Sequence, residues 1–452
     1  MVLNNQKYAL FIIFIIAFTI RLIAIANLPL RFSNPDSDPK QYDTLAVNLL
    51  SGKGYTIEYY NFGRPTSYRA PLYPLFLASI YSIFGHNYLA VRVIQSIFGA
   101  ILCILVYFIA RSVFNNMVGL IAAISLAVYK PFISYSFYGG PGFLYAENLF
   151  TPLLAVLILF LVSRFLVKPI SLTNQIIAGV LIGLASLTRP VIALLPFFLI
   201  LLLLIQRTFS PKKILFIMAP LFLSFGIVML PWIARNYIVH KEFVPFTTEG
   251  GPALLAGNNI YASGDGLCDL GILFDQKQKT MINSLSEVKQ DKFYRSEALN
   301  FLFTHWKVVP KLFLKKLLVF WDLYDTGYDE NGAMYRKYNI WYSIVFMFGL
   351  YGIIKILKPL PTPKVLLLLS IFVYFSILSM VFLGEPRFRN PVEPILIIFA
   401  SYGIFSIYEK KKHILRSSLL VFCVVLLNLV IYKYSDLILS FVRHYFSFLI
   451  KM

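Results

Sequence analysis

The chain has 452 residues, 58% hydrophobic and only 14% charged, with a formal net charge of +20. A soluble domain is about a quarter charged, so this composition could not cover its own surface; disorder, a disulfide scaffold and a cytosolic enzyme are excluded. The excess of 41 basic over 21 acidic residues reads as charge placed across a bilayer rather than as a nucleic-acid surface. The fold class is an all-α polytopic membrane protein.

A helix needs about 20 mostly apolar residues to cross the hydrocarbon. In chain order such runs cover 8–28, 90–110, 117–134, 146–166, 175–188, 190–206, 214–234, 339–354, 365–383, 391–408 and 417–433. The apolar stretch 72–84 lies between Pro71 and Gly85. It is too short to span and reads as a helix lying in the interface. With the N-terminus inside, the inner loops collect Arg111, Arg164, Lys212, Lys213, Lys355 and Lys364, among other basic residues. Of the 21 acids only Glu409 joins them. The positive-inside rule therefore sets the orientation, and the carboxylates lie outside.

Two outer regions are far longer than connections need to be. Residues 29–89 form a first outer loop within an N-terminal module 1–234. Residues 235–338 form an outer soluble segment, followed by a C-terminal module 339–452. The segment holds helical stretches at 285–303 and 307–321, with turn chemistry at Gly250-Gly251, Gly257-Asn258-Asn259 and Ser263–Gly266. No internal repeat is evident, which counts against an inverted-repeat transporter. The three cysteines form no CxxC pair and the five histidines are scattered, so no metal ligand set is indicated. No phosphate-cradling GxxxxGK[ST] or helix-opening GxGxxG occurs.

The candidate chemistry is on the outer side. Asp36 and Asp38 precede a helical stretch of about 39–51, with Tyr42 and Asp43 inside it. Asp38 stands where an N-cap would. It also stands where a carboxylate just outside the bilayer takes a proton from a hydroxyl. Arg64, Tyr68 and Arg69 follow, offering cations for an anionic partner. Glu147 opens the fourth span, where a carboxylate tends to face a cavity. Lys130, at the outer end of the third span, either snorkels to the headgroups or lines that cavity. Arg189, Arg235, Arg387 and Arg389 all fall at outer helix ends. Taken singly each is a lipid anchor; together they suit a lipid phosphate or pyrophosphate, gripped in bidentate fashion.

The order D-x3-YD-x-LA-x-NLL-x-GKGY, PTSYRAPLYPLFLA, AVRVIQSIFGAILCILVYFIAR, GLASLTRP, PWIARNY and RFRNPVEP resembles bacterial integral-membrane glycosyltransferases of the C-type (GT-C) fold. These are relatives of protein O-mannosyltransferases and of the aminoarabinose transferase acting on lipid A. The resemblance runs to about residue 408. It implies a multi-pass protein of a bacterial or archaeal plasma membrane, with its active site on the extracytoplasmic side. The donor would be a polyprenyl-phosphate sugar and the acceptor a hydroxyl of a lipid, glycan or protein, recognised in part by 235–338. Asp38 would be the base of an inverting transfer, Asp43 would shape the loop, and Glu147 would be a second acid. Arg69, Arg189 and Arg387 would hold the departing phosphate. The pattern departs from the eukaryotic mannosyltransferases in having Asp38-Pro39 rather than adjacent Asp-Glu, so the roles of Asp36, Asp38 and Asp43 stay open. Lys130 falls where relatives have a small or apolar residue. A divalent cation stays open as the one candidate cofactor. The competing readings are a polymerase or ligase of surface polysaccharide, and a transporter of lipid-linked sugars.

Overall fold

The computed structural model describes residues 2–26, 38–57, 64–134, 144–167, 170–207, 209–264, 270–328, 334–357 and 361–409, and three isolated positions beyond. It is almost wholly helical. In the first half come α1 (Val2–Ala26), α2 (Asp38–Leu50), α3 (Leu72–Phe84), α4 (Tyr88–Val113), α5 (Asn116–Ala127) and a short α6 (Lys130–Ser134). Then follow α7 (Glu147–Phe160), α8 (Leu172–Thr188), α9 (Leu195–Ile205) and α10 (Pro211–His240). The segment 235–338 holds α11 (Gly250–Gly257), α12 (Gln276–Ser284), α13 (Glu287–Thr304), α14 (Val309–Phe320) and an antiparallel hairpin of β1 (Tyr324–Tyr328) and β2 (Met334–Tyr338). The chain ends its described part with α15 (Ile340–Ile356), α16 (Pro363–Val381) and α17 (Glu393–Glu409).

Ten of the eleven apolar runs coincide with helices; the run at 417–433 lies outside the described residues. Among the described residues, five segments are long and apolar enough to cross a membrane, namely Gln6–Ala26, Tyr88–Val113, Glu147–Phe165, Pro211–His240 and Pro363–Val381. The stretch expected in the interface is helix α3. Polar caps start several helices by accepting otherwise orphaned N–H groups. Asn87 accepts from Leu89 and Ala90 at α4, Ser171 from Asn174 at α8, and Thr362 from Val365 at α16.

Two seams need small residues, because helices in lipid gain by close backbone approach. At Gly352 of α15 an added Cβ would come within 2.0 Å of the Phe399 carbonyl of α17. At Gly179 of α8 it would meet the Leu221 carbonyl of α10 at 2.2 Å. The main core joins these helices through Ala17, Val106, Leu126, Leu157, Ile182, Leu221, Leu368 and Ile398, while large apolar residues such as Phe11, Phe216 and Leu223 face outward.

A second, smaller core positions the loop chemistry. Tyr42 and Ala46 of α2 pack on Tyr73, Leu77 and Tyr81 of α3, with Val91 of α4 beneath. The rings of Tyr42 and Tyr73 meet edge to face at 5.0 Å. This packing fixes α2 and, with it, the first turn that carries Asp38.

The outer segment differs from the sequence reading in three places. Helix α10 continues to His240, past the expected boundary at 234. Gly250-Gly251, read as a turn, opens α11. The hairpin was not foreseen, because its strands YDTGY and MYRKY do not alternate apolar and polar residues as a half-buried strand would.

Candidate active site

Asp38 is the first residue of α2, and its carboxylate does not act as a cap. One oxygen receives Arg69 at 2.5 Å and the other receives Arg387 at 3.1 Å. Arg69 is held on three sides. Its Nε donates to Gln41, one turn along α2, at 2.8 Å; its Nη1 pairs with Glu249 at 2.6 Å; and the rings of Tyr42 and Tyr68 flank it at 5.3 and 5.1 Å.

The 64–70 segment that carries Arg69 is pinned from below. Arg235 donates to the Thr66 carbonyl at 2.7 Å and to the Ser67 hydroxyl at 2.9 Å, and Glu287 of α13 accepts from the Ser67 backbone N–H at 2.8 Å.

Arg387 arrives from the loop between α16 and α17. It pairs with Glu385 at 3.6 Å and lies 5.0 Å from the Tyr145 ring. The Phe388 ring stands between Arg387 and Arg189, at 5.2 and 5.8 Å. Arg189, capping the end of α8, forms an ion pair with Glu147. The second oxygen of Glu147, buried, has no hydrogen-bond partner. Three guanidinium groups and four carboxylates thus converge from six parts of the chain.

Burial raises the pKa of Asp38, but Arg69, Arg387 and Arg189 outweigh it and hold the carboxyl well below the usual range. Glu385 shifts the other way. Burial raises it, Asp38 and Glu147 raise it further, and Arg387 only partly opposes them. Burial also pushes the Tyr42 and Tyr145 hydroxyls up to about 12. Carboxylates of unlike affinity for a proton, gathered beside cations, mark a site of chemistry more often than a structural bridge.

The other expected residues are distributed differently. Asp43 is buried and accepts from the hydroxyls of Tyr81 and Tyr88 at 2.8 and 3.0 Å, with His86 at 2.8 Å. Five residues along an α-helix turn a side chain by about 140°, so Asp43 cannot share the face of Asp38. Its contacts lie with α3, the start of α4 and the turn between them, apart from the Asp38 ion pairs. Arg389 is buried between Glu393 at 2.8 Å and Asp325 at 2.9 Å, under the Tyr342 ring at 3.7 Å, apart from the Asp38 ion pairs. Arg235 likewise supports the 64–70 segment rather than facing the cluster. Arg64 and Lys130 are exposed, and Asp36 lies outside the described residues.

Glu249, Glu385 and Gln41 escaped the sequence reading. Glu385 carried a signal, being an acid two positions from Arg387 in GEPRFRNP; Glu249 carried none beyond its Gly-Gly neighbours. A divalent cation does not fit the described residues. No three acidic, histidine or cysteine side chains converge as ligands, because guanidinium groups occupy the spaces between the carboxylates.

Residues 68–232 match the family model described as dolichyl-phosphate-mannose-protein mannosyltransferase. Solved structures share the fold. The Archaeoglobus fulgidus oligosaccharyltransferase in complex with Zn and sulfate is 17% identical, with a TM-score of 0.56 over 95% of this chain and 52% of its own. ArnT from Cupriavidus metallidurans bound to undecaprenyl phosphate is 14% identical, with a TM-score of 0.57 over 91% and 63%. Archaeal AglB from Archaeoglobus fulgidus, in complex with an inhibitory peptide and a dolichol-phosphate, is 18% identical, with a TM-score of 0.54 over 94% and 54%. The chain spans about half the length of the oligosaccharyltransferase and less than two thirds of ArnT. No curated protein matches it in sequence.

Proposed function

We propose that this chain, which has the fold of solved C-type glycosyltransferases and a stretch matching the mannosyltransferase family model, moves a sugar from a polyprenyl-phosphate donor to an acceptor hydroxyl on the outer face of the membrane. The observation that carries this reading is the clamp of Arg69 and Arg387 on Asp38, with Arg189 beside it. It joins phosphate-binding cations to a candidate base in one half-exposed cluster. The undecaprenyl phosphate and dolichol-phosphate bound by two solved relatives support a lipid phosphate as the donor group. The outer position rests on the distribution of basic residues along the chain.

The clamp suggests how the base is controlled. Paired with two arginines, Asp38 is a weak proton acceptor. A donor phosphate brings stronger, bidentate acceptors and competes for Arg69 and Arg387. As the guanidinium groups turn to the phosphate, Asp38 loses the charges that depress its pKa and becomes the base. The acceptor oxygen then attacks the anomeric carbon while its proton passes to Asp38. The bond from that carbon to the phosphate oxygen breaks, and the polyprenyl phosphate leaves with its growing charge held by Arg387, Arg69 and Arg189. One displacement inverts the anomeric centre. Apolar helix faces would hold the isoprenoid tail, and the 17% aromatic content offers ring surfaces for sugar and tail.

The test is Asp38→Asn in purified, membrane-reconstituted protein. Transfer should fall by about 10²–10⁴-fold, the usual worth of a positioned base, while undecaprenyl phosphate still binds. Unchanged transfer would remove Asp38 from this role.

A further inference from the structure

Helix α11 joins the two arms of the clamp. The residue before it, Glu249, pairs with Arg69. The residue after it, Asn258, accepts from the Lys316 ammonium at 2.8 Å and donates to the Val381 carbonyl at 2.9 Å. Lys316 of α14 donates to the same carbonyl at 3.2 Å. Val381 is the last residue of α16, and the loop leaving it carries Glu385 and Arg387.

Lys316 is fully buried, and no carboxylate among the described residues pairs with it. An isolated buried ammonium is costly, and burial brings its pKa down to about 7. A methionine would pack α14 on α16 without that penalty. What the ammonium adds is a set of donors for a helix-end carbonyl that has no partner within its own helix. The loop also packs closely on the backbone around the same lysine. Gly384 donates to the Gly264 carbonyl at 3.1 Å, and an added Cβ at Gly384 would fall 2.3 Å from the Lys316 carbonyl. Three residues after that contact comes Arg387.

We infer that Lys316, with Asn258, is a positioning residue for Arg387, through which the outer segment sets the separation of Arg387 from Arg69 and so the grip on the donor phosphate. The inference rests on the proposed phosphate-binding role of these arginines. It assigns the outer segment a part in donor binding, delivered through α11 and α14. A misplacement of about 1 Å can cost about 10²-fold at a site of this kind, so a modest loop shift is enough to be measured.

The experiment measures undecaprenyl phosphate affinity and thermal stability of the full chain in nanodiscs. Lys316→Met should weaken binding by about 10-fold or more, Asn258→Ala should do the same, and Lys316→Arg should restore most of the affinity. Lys311→Met on the same helix serves as a control and should bind as wild type. Because Lys316 acts through Arg387, Lys316→Met should have less than about a twofold further effect in an Arg387→Ala background, yet its full effect beside Arg69→Ala. If Arg387→Ala weakens binding while folded Lys316→Met and Asn258→Ala bind as wild type, the positioning role is overturned and the donor site stands. If Arg387→Ala and Arg69→Ala themselves bind normally, the donor reading fails and takes this inference with it. Additive losses in the double variant would mark Lys316 as a general stabiliser and overturn the inference as well.

Discussion

Arg387 and Arg389 stand two positions apart in one short 3-10 turn, and they lead opposite lives. Arg389 is buried, with two carboxylates, two backbone carbonyls and an aromatic ring around it. Arg387 is 16% exposed and shares Asp38, itself 23% exposed, with Arg69. A guanidinium held by acids that are themselves enclosed, 13% and 2% exposed for Arg389, offers a ligand little to exchange. One that shares its acid with a second cation, at the edge of solvent, can exchange that acid for a phosphate. The distinction lies in which partners are replaceable, since the residue types are the same.

Substitutions can break this comparison. The largest expected effect is on stability, at the closed network. Arg389→Ala leaves Glu393 and Asp325 buried without their cation and should cost about 3–5 kcal/mol, because a broken buried ion pair strands its partner charge. Thermal melts of purified protein check this; a melting point near wild type would place Arg389 with the exposed group.

Arg387→Ala should leave the melting point nearly unchanged and lower undecaprenyl phosphate affinity by about 10–100-fold, as loss of a charge-assisted, bidentate contact does. Equal affinity would dissolve the contrast.

Asp43→Asn should cost about 1–3 kcal/mol through its three hydrogen bonds to a buried carboxylate, with transfer by the folded fraction preserved. Transfer lost without destabilisation would return Asp43 to the catalytic group.

The open cluster should also reveal itself in acid. The folded pKa of Asp38 is depressed below its unfolded value. Its stabilising contribution is therefore fully present above about pH 4, the ordinary carboxylate value. It fades as pH falls toward the folded value. The difference in melting point between wild type and Asp38→Asn should shrink from pH 6 to pH 3, and a difference that stays constant would argue against the ion pairs. Smallest of all, Arg64→Ala should change neither binding nor stability beyond about a twofold or 0.5 kcal/mol margin, as for other exposed side chains.

Much of the site was visible in the sequence as a set of candidates, because sidedness and helix ends are local properties. Asp38, Arg69, Glu147, Arg189 and Arg387 all emerged as charges at outer termini. Their pairing did not. Asp38 meets Arg69 across 31 positions and Arg69 meets Glu249 across 180, and no local periodicity reports such distances. Asp43 and Arg389 were drawn into the candidate site for the same reason: a charge at the right depth looks functional until its neighbours are known. Glu249 was passed over because nothing around it in sequence distinguishes a surface glutamate from one aimed at a buried arginine.

What the sequence by itself determined is the medium, and the orientation is its expectation. Hydropathy decides which stretches leave water, over windows of one helix, and the placement of lysine and arginine decides which ends face which side. What only the tertiary structure decided is which carboxylate each arginine meets and whether that partner can be displaced. Burial and ion pairing belong to helices brought together by packing. The same residue type has partly exposed, shared partners at position 387 and enclosed ones at 389 because packing leaves the first at the edge of solvent and buries the second.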